Sequence, residues 1–226
     1  MIHQQKYVKE LLKKYGLEHQ KTNHTLIGPG TRLDEDSNGK CVNEKQYRGM
    51  IGSLLCLTAS RPDISFSVGL CAQFQSNPKE SDLTTVKRIL RYLKGSDDLC
   101  LLYARSDVFD LISYSDADYA CDLVNRKSTS GIIQYLGSRL VSWSSKKQNI
   151  VALSTAEAEY VAAAACYSQV LWIKQQVRDF GIKFKCVPIY CDNTSVICIS
   201  KIQFIIQGSS IYTLDITFLK TMYKKV

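Results

Sequence analysis

The chain has 226 residues, enough for one large domain or two small ones. Its apolar share, 45%, is that of an ordinary globular protein, and no run of about 18 apolar residues exists to cross a membrane. The net charge of +8 permits a polyanionic partner without requiring one.

Nine cysteines form no Cys-x-x-Cys pair; the closest, Cys186 and Cys191, are too far apart for a zinc knuckle. The histidines, His3, His19 and His24, all lie near the start, so a Cys/His metal site later in the chain is not expected. The cysteines are expected to be reduced and mostly buried, as in an intracellular protein. The opening residues Met-Ile-His-Gln-Gln-Lys lack the apolar core of a signal peptide.

Tyr7 to Tyr15 read as a helix stopped by Gly16. The polar stretch from His19 to Asn43 reads as a loop. Within it Asp34, Asp36, Asn38 and Gly39 resemble half of a calcium loop, but Lys45 stands where the closing Glu belongs, so a turn is expected. Helices are predicted over Tyr47 to Leu57 and Ile64 to Phe74, punctuated by Ser60-Arg61-Pro62-Asp63. Another runs from Pro78 to about Leu93, with Val86, Ile89, Leu90 and Leu93 at helical spacing. Its other face carries Lys87, Arg88, Arg91 and Lys94, which read either as a solvated face or as a grip on a phosphate backbone.

After Gly95 the pattern changes, and a domain boundary is expected near Ser106. Leu111 to Tyr114 is strand-like and leads into acidic residues. Ser130 to Leu136 and Arg139 to Trp143 read as strands around Gly137-Ser138. A long helix is expected from Thr155 to Phe180, closed by Gly181, with Val161, Ala165, Val170, Ile173 and Val177 as its buried stripe. Val187 to Cys191 forms a short strand delivering Asp192, and Leu214 to Tyr223 reads as a final helix. Strands alternating with helices define an α/β class.

Acidic residues cluster at the ends of these elements: Asp116 and Asp118 in YSDADYA, Glu157 and Glu159 in LSTAEAEYVA, Asp192 in YCDNTS and Asp215 in YTLDIT. Carboxylates from separate elements are what a site for hard divalent cations needs, and two such cations can drive phosphodiester hydrolysis. Each residue also has a plainer role. Glu157 lies three after Ser154, as in a capping box, and acids favour a helix N-terminus. Asp192-Asn193 can be a turn. Lys146 and Lys147 read equally as phosphate contacts or as a solvated turn.

Long strings carry a family resemblance: YRGMIGSLLCLTASRPDI, FQSNPKESDLTTVKRILRYLKG, YSDADYA, RKSTSG, VSWSSKKQNIVALSTAEAEYVA and YCDNTS. From about Gln4 to Ser200 the chain resembles the Pol polyprotein of copia-type (Pseudoviridae-like) plant retrotransposons. The resemblance implies that residues 1–105 are the C-terminal, thumb- or connection-like segment of a reverse transcriptase, small and mainly helical. It implies that residues 106–226 are a ribonuclease H-like domain, a mixed sheet with helices whose C-terminus is degenerate. That domain would cleave the RNA strand of an RNA/DNA hybrid with two Mg2+ (or Mn2+) ions. Matched by motif, the metal ligands and catalytic residues are Asp116, Glu159 (with Glu157 second), Asp192 and Asp215. Other parts of a Pol polyprotein would be partners, no membrane is involved, and a cytoplasmic particle or the nucleus are both compatible locations.

Three departures stand out. The Tyr-x-Asp-Asp motif of the polymerase palm is missing, so no polymerisation by this chain alone is expected. Cys121 stands where the family usually has Gly, with an expected backbone cost of up to about 1 kcal/mol. The segment KIQFIIQGSSIYTLDI lacks the family's histidines and arginine. The competing reading is a non-catalytic nucleic-acid-binding or functionless remnant.

Overall fold

The computed structural model describes residues 1–28, 33–105, 108–184, 186–198 and, as backbone, 216–218. It divides into two compact units, residues 1–103 with 122–124, and residues 104–121 with 125–226. Ser106, where the sequence changes character, lies outside the described residues.

The first unit is helical. It contains α1 (Gln5–Lys14), α2 (Glu44–Leu57), a short 3-10 turn (Pro62–Ile64), α3 (Ser65–Ala72) and α4 (Glu80–Lys94). Tyr47, Met50, Ile51, Leu54 and Leu57 recur at helical spacing along α2 and are fully buried. They meet Val86, Ile89, Leu90 and Leu93 of α4 in one core with Val8, Leu11 and Leu12 of α1. The Arg61-Pro62-Asp63 corner is held by an ion pair between buried Arg61 and the partly buried side chain of Asp63. The Arg61 guanidinium bonds Asp63 at 2.7 Å and the Ser96 carbonyl at 2.8 Å. Burial alone would raise the Asp63 carboxyl, but the Arg61 bond and charge outweigh it and hold it below the usual carboxylate range. The Asp34–Gly39 segment is a turn, as expected: the Asp36 N–H donates to Asp34 Oδ1 and the Gly39 N–H to the Asp36 carbonyl.

The second unit is α/β. Its sheet comprises β1 (Leu111–Asp118), β2 (Thr129–Leu136), β3 (Arg139–Lys147), β4 (Ile189–Cys191) and β5 (Ile216–Phe218), in the order β3-β2-β1-β4-β5. β1 pairs antiparallel with β2 and parallel with β4, so the sheet is mixed. Gly137 turns the β2–β3 hairpin at φ +60°, where a Cβ would lie 2.5 Å from the Val108 carbonyl oxygen. Helix α5 (Thr155–Arg178) packs on this sheet, and Cys166, Val170 and Ile173 join Leu111, Ile132, Val187 and Ile189 in the core.

Several expectations are corrected. The stripe on α5 runs through Ala158, Glu159, Ala162, Ala163, Cys166, Val170 and Ile173. Val161 is only half-buried, because the smaller Ala162 lets the helix approach the sheet, and Ala165 is exposed while its neighbour Cys166 is buried. Lys146 and Lys147 belong to β3, not a turn, and stand opposite Ser130 and Thr129. Ile216–Phe218 is a strand parallel to β4 instead of helix, in keeping with its β-branched and aromatic residues. The cysteines are not mostly buried: Cys71, Cys166 and Cys191 are, whereas Cys41, Cys56, Cys100 and Cys198 are exposed. No helix among the described residues is long and apolar enough to cross a membrane.

The left-handed residue in the first acidic motif is Ala120, at φ +49°, and not Cys121. Cys121 therefore carries no cost of positive φ, and its thiol lies 3.1 Å from the Thr129 hydroxyl. An alanine is disfavoured there while a glycine is not. Ala120→Gly is expected to stabilise the α/β unit by about 0.5–1 kcal/mol, measured by urea unfolding followed by tryptophan fluorescence.

Candidate metal centre

Asp116 and Asp192 are placed by the strand register. In the parallel β1–β4 pair, Tyr114 stands beside Tyr190, and their rings stack at 5.3 Å. Each aspartate lies two residues beyond its tyrosine, on the same strand face by alternation, so the two carboxylates emerge side by side. Both are exposed.

Glu159 arrives from α5. Ser154 caps that helix, accepting the Glu157 N–H at 3.1 Å, and Glu157 reaches back to the Leu153 N–H at 2.7 Å. These two bonds occupy Glu157 and leave Glu159, 6% exposed, to face the strand ends. Glu159 Oε1 accepts the Ala117 N–H at 3.2 Å, and the same N–H lies 2.9 Å from Asp116 Oδ1. One backbone donor therefore serves two carboxylates. Sequence reading does not find it, because a main-chain N–H has no residue signature.

Ligand atoms of Asp116, Glu159 and Asp192 all lie within 4.8 Å of one another. Burial pushes the Glu159 carboxyl up to about 7, against the pull of the Ala117 N–H and with the help of the negative charges of Asp116 and Asp192. Its other oxygen, Oε2, is buried with no hydrogen-bond partner. A buried carboxylate oxygen that accepts no hydrogen bond, beside two like charges, fits a cation, and three oxygen donors suit a hard divalent one. The three carboxylates can chelate such an ion.

The other candidate residues fall elsewhere. Asp215 lies outside the described residues. On α4, Arg88 donates to the Thr25 carbonyl at 3.1 Å and Lys94 to the Gln20 carbonyl at 2.8 Å, so both fasten the loop between α1 and α2. Lys87 and Arg91 are half-buried, Lys146 is exposed and Lys147 half-buried.

The second unit is an α/β fold whose three clustered carboxylates could chelate a divalent cation. The chain is homologous to the Pol polyproteins of plant copia-type retrotransposons and belongs with them as a fragment of Pol. It is 39% identical over 193 residues to the "Retrovirus-related Pol polyprotein from transposon RE1" of Arabidopsis thaliana, covering 85% of this chain and 13% of that protein. It is 36% identical over 207 residues to the "Retrovirus-related Pol polyprotein from transposon TNT 1-94" of Nicotiana tabacum, covering 88% of this chain and 16% of that protein. The chain thus spans only about one-seventh of the length of these relatives. It also matches "Secreted RxLR effector protein 161" of Plasmopara viticola, 38% identical over 133 residues, 58% of this chain and 94% of that protein. No protein-family model matches the chain.

The raised Glu159 carboxyl has a stability consequence. Folded Glu159 keeps its proton up to about 7, whereas in the unfolded chain it is lost near 4.5. Between those values the folded state binds more protons, so its stability falls as pH rises through that window. In chelator, Glu159→Gln is expected to flatten this fall and to exceed the wild type at pH 8 by on the order of 3 kcal/mol at most. Urea unfolding at pH 5 and pH 8 measures it.

Proposed function

We propose that the α/β unit is a ribonuclease H-like domain that hydrolyses the RNA strand of an RNA/DNA hybrid. The observation that carries this reading is the convergence of Asp116 from β1, Glu159 from α5 and Asp192 from just past the end of β4. The mixed sheet, with its central parallel pair delivering two aspartates, supports it, as does homology to Pol polyproteins. In this reading the three carboxylates hold magnesium, or manganese in its place, as two ions, and Asp215 is the fourth acidic position. The chemistry such cations supply when bound is activation of water and neutralisation of charge at the scissile phosphate.

The protein's own groups divide the work. Asp116 and Asp192 are exposed and would hold the cations where an arriving phosphodiester can reach them. Glu159 stays behind them, anchored by the Ala117 N–H, and would hold a cation in its deprotonated form. Lys146 and Lys147 offer positive charge on β3 for the hybrid backbone, and the hybrid would be known by its shape and 2′-hydroxyls. The helical unit is then the end of a reverse transcriptase, with other parts of Pol as its partners; of its four candidate phosphate contacts, Arg88 and Lys94 are held by loop carbonyls, which leaves Lys87 and Arg91.

The test is incubation of the purified chain with a labelled RNA/DNA hybrid in magnesium or manganese. Cleavage confined to the RNA strand and abolished by chelator is expected. Asp116→Asn and Asp192→Asn should each slow it by on the order of a hundredfold or more. A folded wild type that binds the hybrid in a salt-sensitive way yet never cuts it overturns hydrolysis in favour of a binding remnant.

A further inference from the structure

Just past the end of β3, Gln148 is 5% exposed and extends its side chain under the first turn of α5. Its backbone N–H donates to the Ser128 carbonyl at 2.8 Å. Its side-chain amide donates twice, to Ser130 Oγ at 3.0 Å and to the Ala158 carbonyl at 2.8 Å. These two acceptors are not arbitrary points. Ser130 is the residue of β2 that stands opposite Ala117. Ala158 immediately precedes Glu159. Ala117 and Glu159 are the pair joined by the 3.2 Å hydrogen bond at the carboxylate cluster.

We infer that Gln148 is the positioning residue of the metal centre, a clamp that sets the distance between α5 and the end of β1 and so holds Glu159 on the Ala117 N–H. The inference rests on the metal-centre reading given above. As a packing element alone a glutamine is poorly suited. Its Oε1 is buried without a partner, an arrangement that costs about 1–3 kcal/mol, and methionine would fill similar space without it. The Ala158 carbonyl, inside a helix, does not need a second donor for its own sake. What the two bonds achieve is a fixed spacing between two elements that carry separate ligands. Groups behind the ligands commonly control metal affinity in this way.

Two variants separate the clamp from mere packing. Gln148→Met keeps the volume and removes both donors. Ser130→Ala keeps Gln148 and removes one acceptor. For each, Mn2+ affinity is measured from the EPR signal of the free ion, and amide hydrogen exchange is followed by NMR at Ala117, with Ser113 as a control on the same strand, its N–H donated to the Pro188 carbonyl at 3.1 Å. Mn2+ dissociation constants raised about tenfold in both variants are expected, with Ala117 exchange accelerated about tenfold while Ser113 and the unfolding midpoint hold. Wild-type binding matched by both variants, with Ala117 exchange unchanged, overturns the positioning role. If the wild type takes up no Mn2+, the metal-centre reading falls. The Ala117 amide then decides the clamp alone: faster exchange in the variants supports it, and unchanged exchange overturns it.

Discussion

Three carboxylates within 4.8 Å of one another repel. At an effective dielectric constant near 20, each ionised pair at that separation costs roughly 3 kcal/mol. The surrounding α/β unit answers that repulsion. The two strand aspartates are left in water, where screening is cheapest, and the one buried member, Glu159, is held near neutrality. The single N–H of Ala117 gives the inward side a compensating dipole. A cation would complete what the protein begins, and the unpartnered oxygen of Glu159 marks the remaining deficit.

Bringing a helix close enough to contribute a ligand demands small side chains. Ala158 and Ala162 are fully buried on the face of α5 that meets the sheet, and Ala163 nearly so. Farther along, where no ligand is needed, Val170 and Ile173 take over the contact. The helical unit follows the opposite rule. Its α2 and α4 present Met, Ile and Leu to one another and build a thick apolar core. One helix is built for approach, the others for burial, and the contrast tracks where chemistry is and is not expected.

Much of this was legible in the sequence. The α1, α2 and α4 helices announce themselves through spacing and stop signals such as Gly16 and Gly95. The three acidic residues that converge stand in YSDADYA, AEAEYVA and YCDNTS, while Glu157, the second candidate, is taken up at the helix start by the Leu153 N–H. Other features were hidden for physical reasons. Hydrophobicity favours large residues, so the alanine seam of α5 was read one position off. A triplet such as Ile216-Thr217-Phe218 pairs with a strand distant in sequence, which local pattern does not reveal. Arg88 and Lys94 carry charge suited to phosphate, yet their nearest acceptors are loop carbonyls, a matter of tertiary placement alone.

The matched offset of Asp116 and Asp192 from their stacked tyrosines makes the centre sensitive to length more than to composition. Because side chains alternate along a strand, one residue inserted between Tyr190 and Asp192 would send that carboxylate through to the opposite side of the sheet. A neighbouring substitution would shift it only slightly. Single-residue insertions and deletions in these two short tracts would therefore disperse the carboxylates in one step.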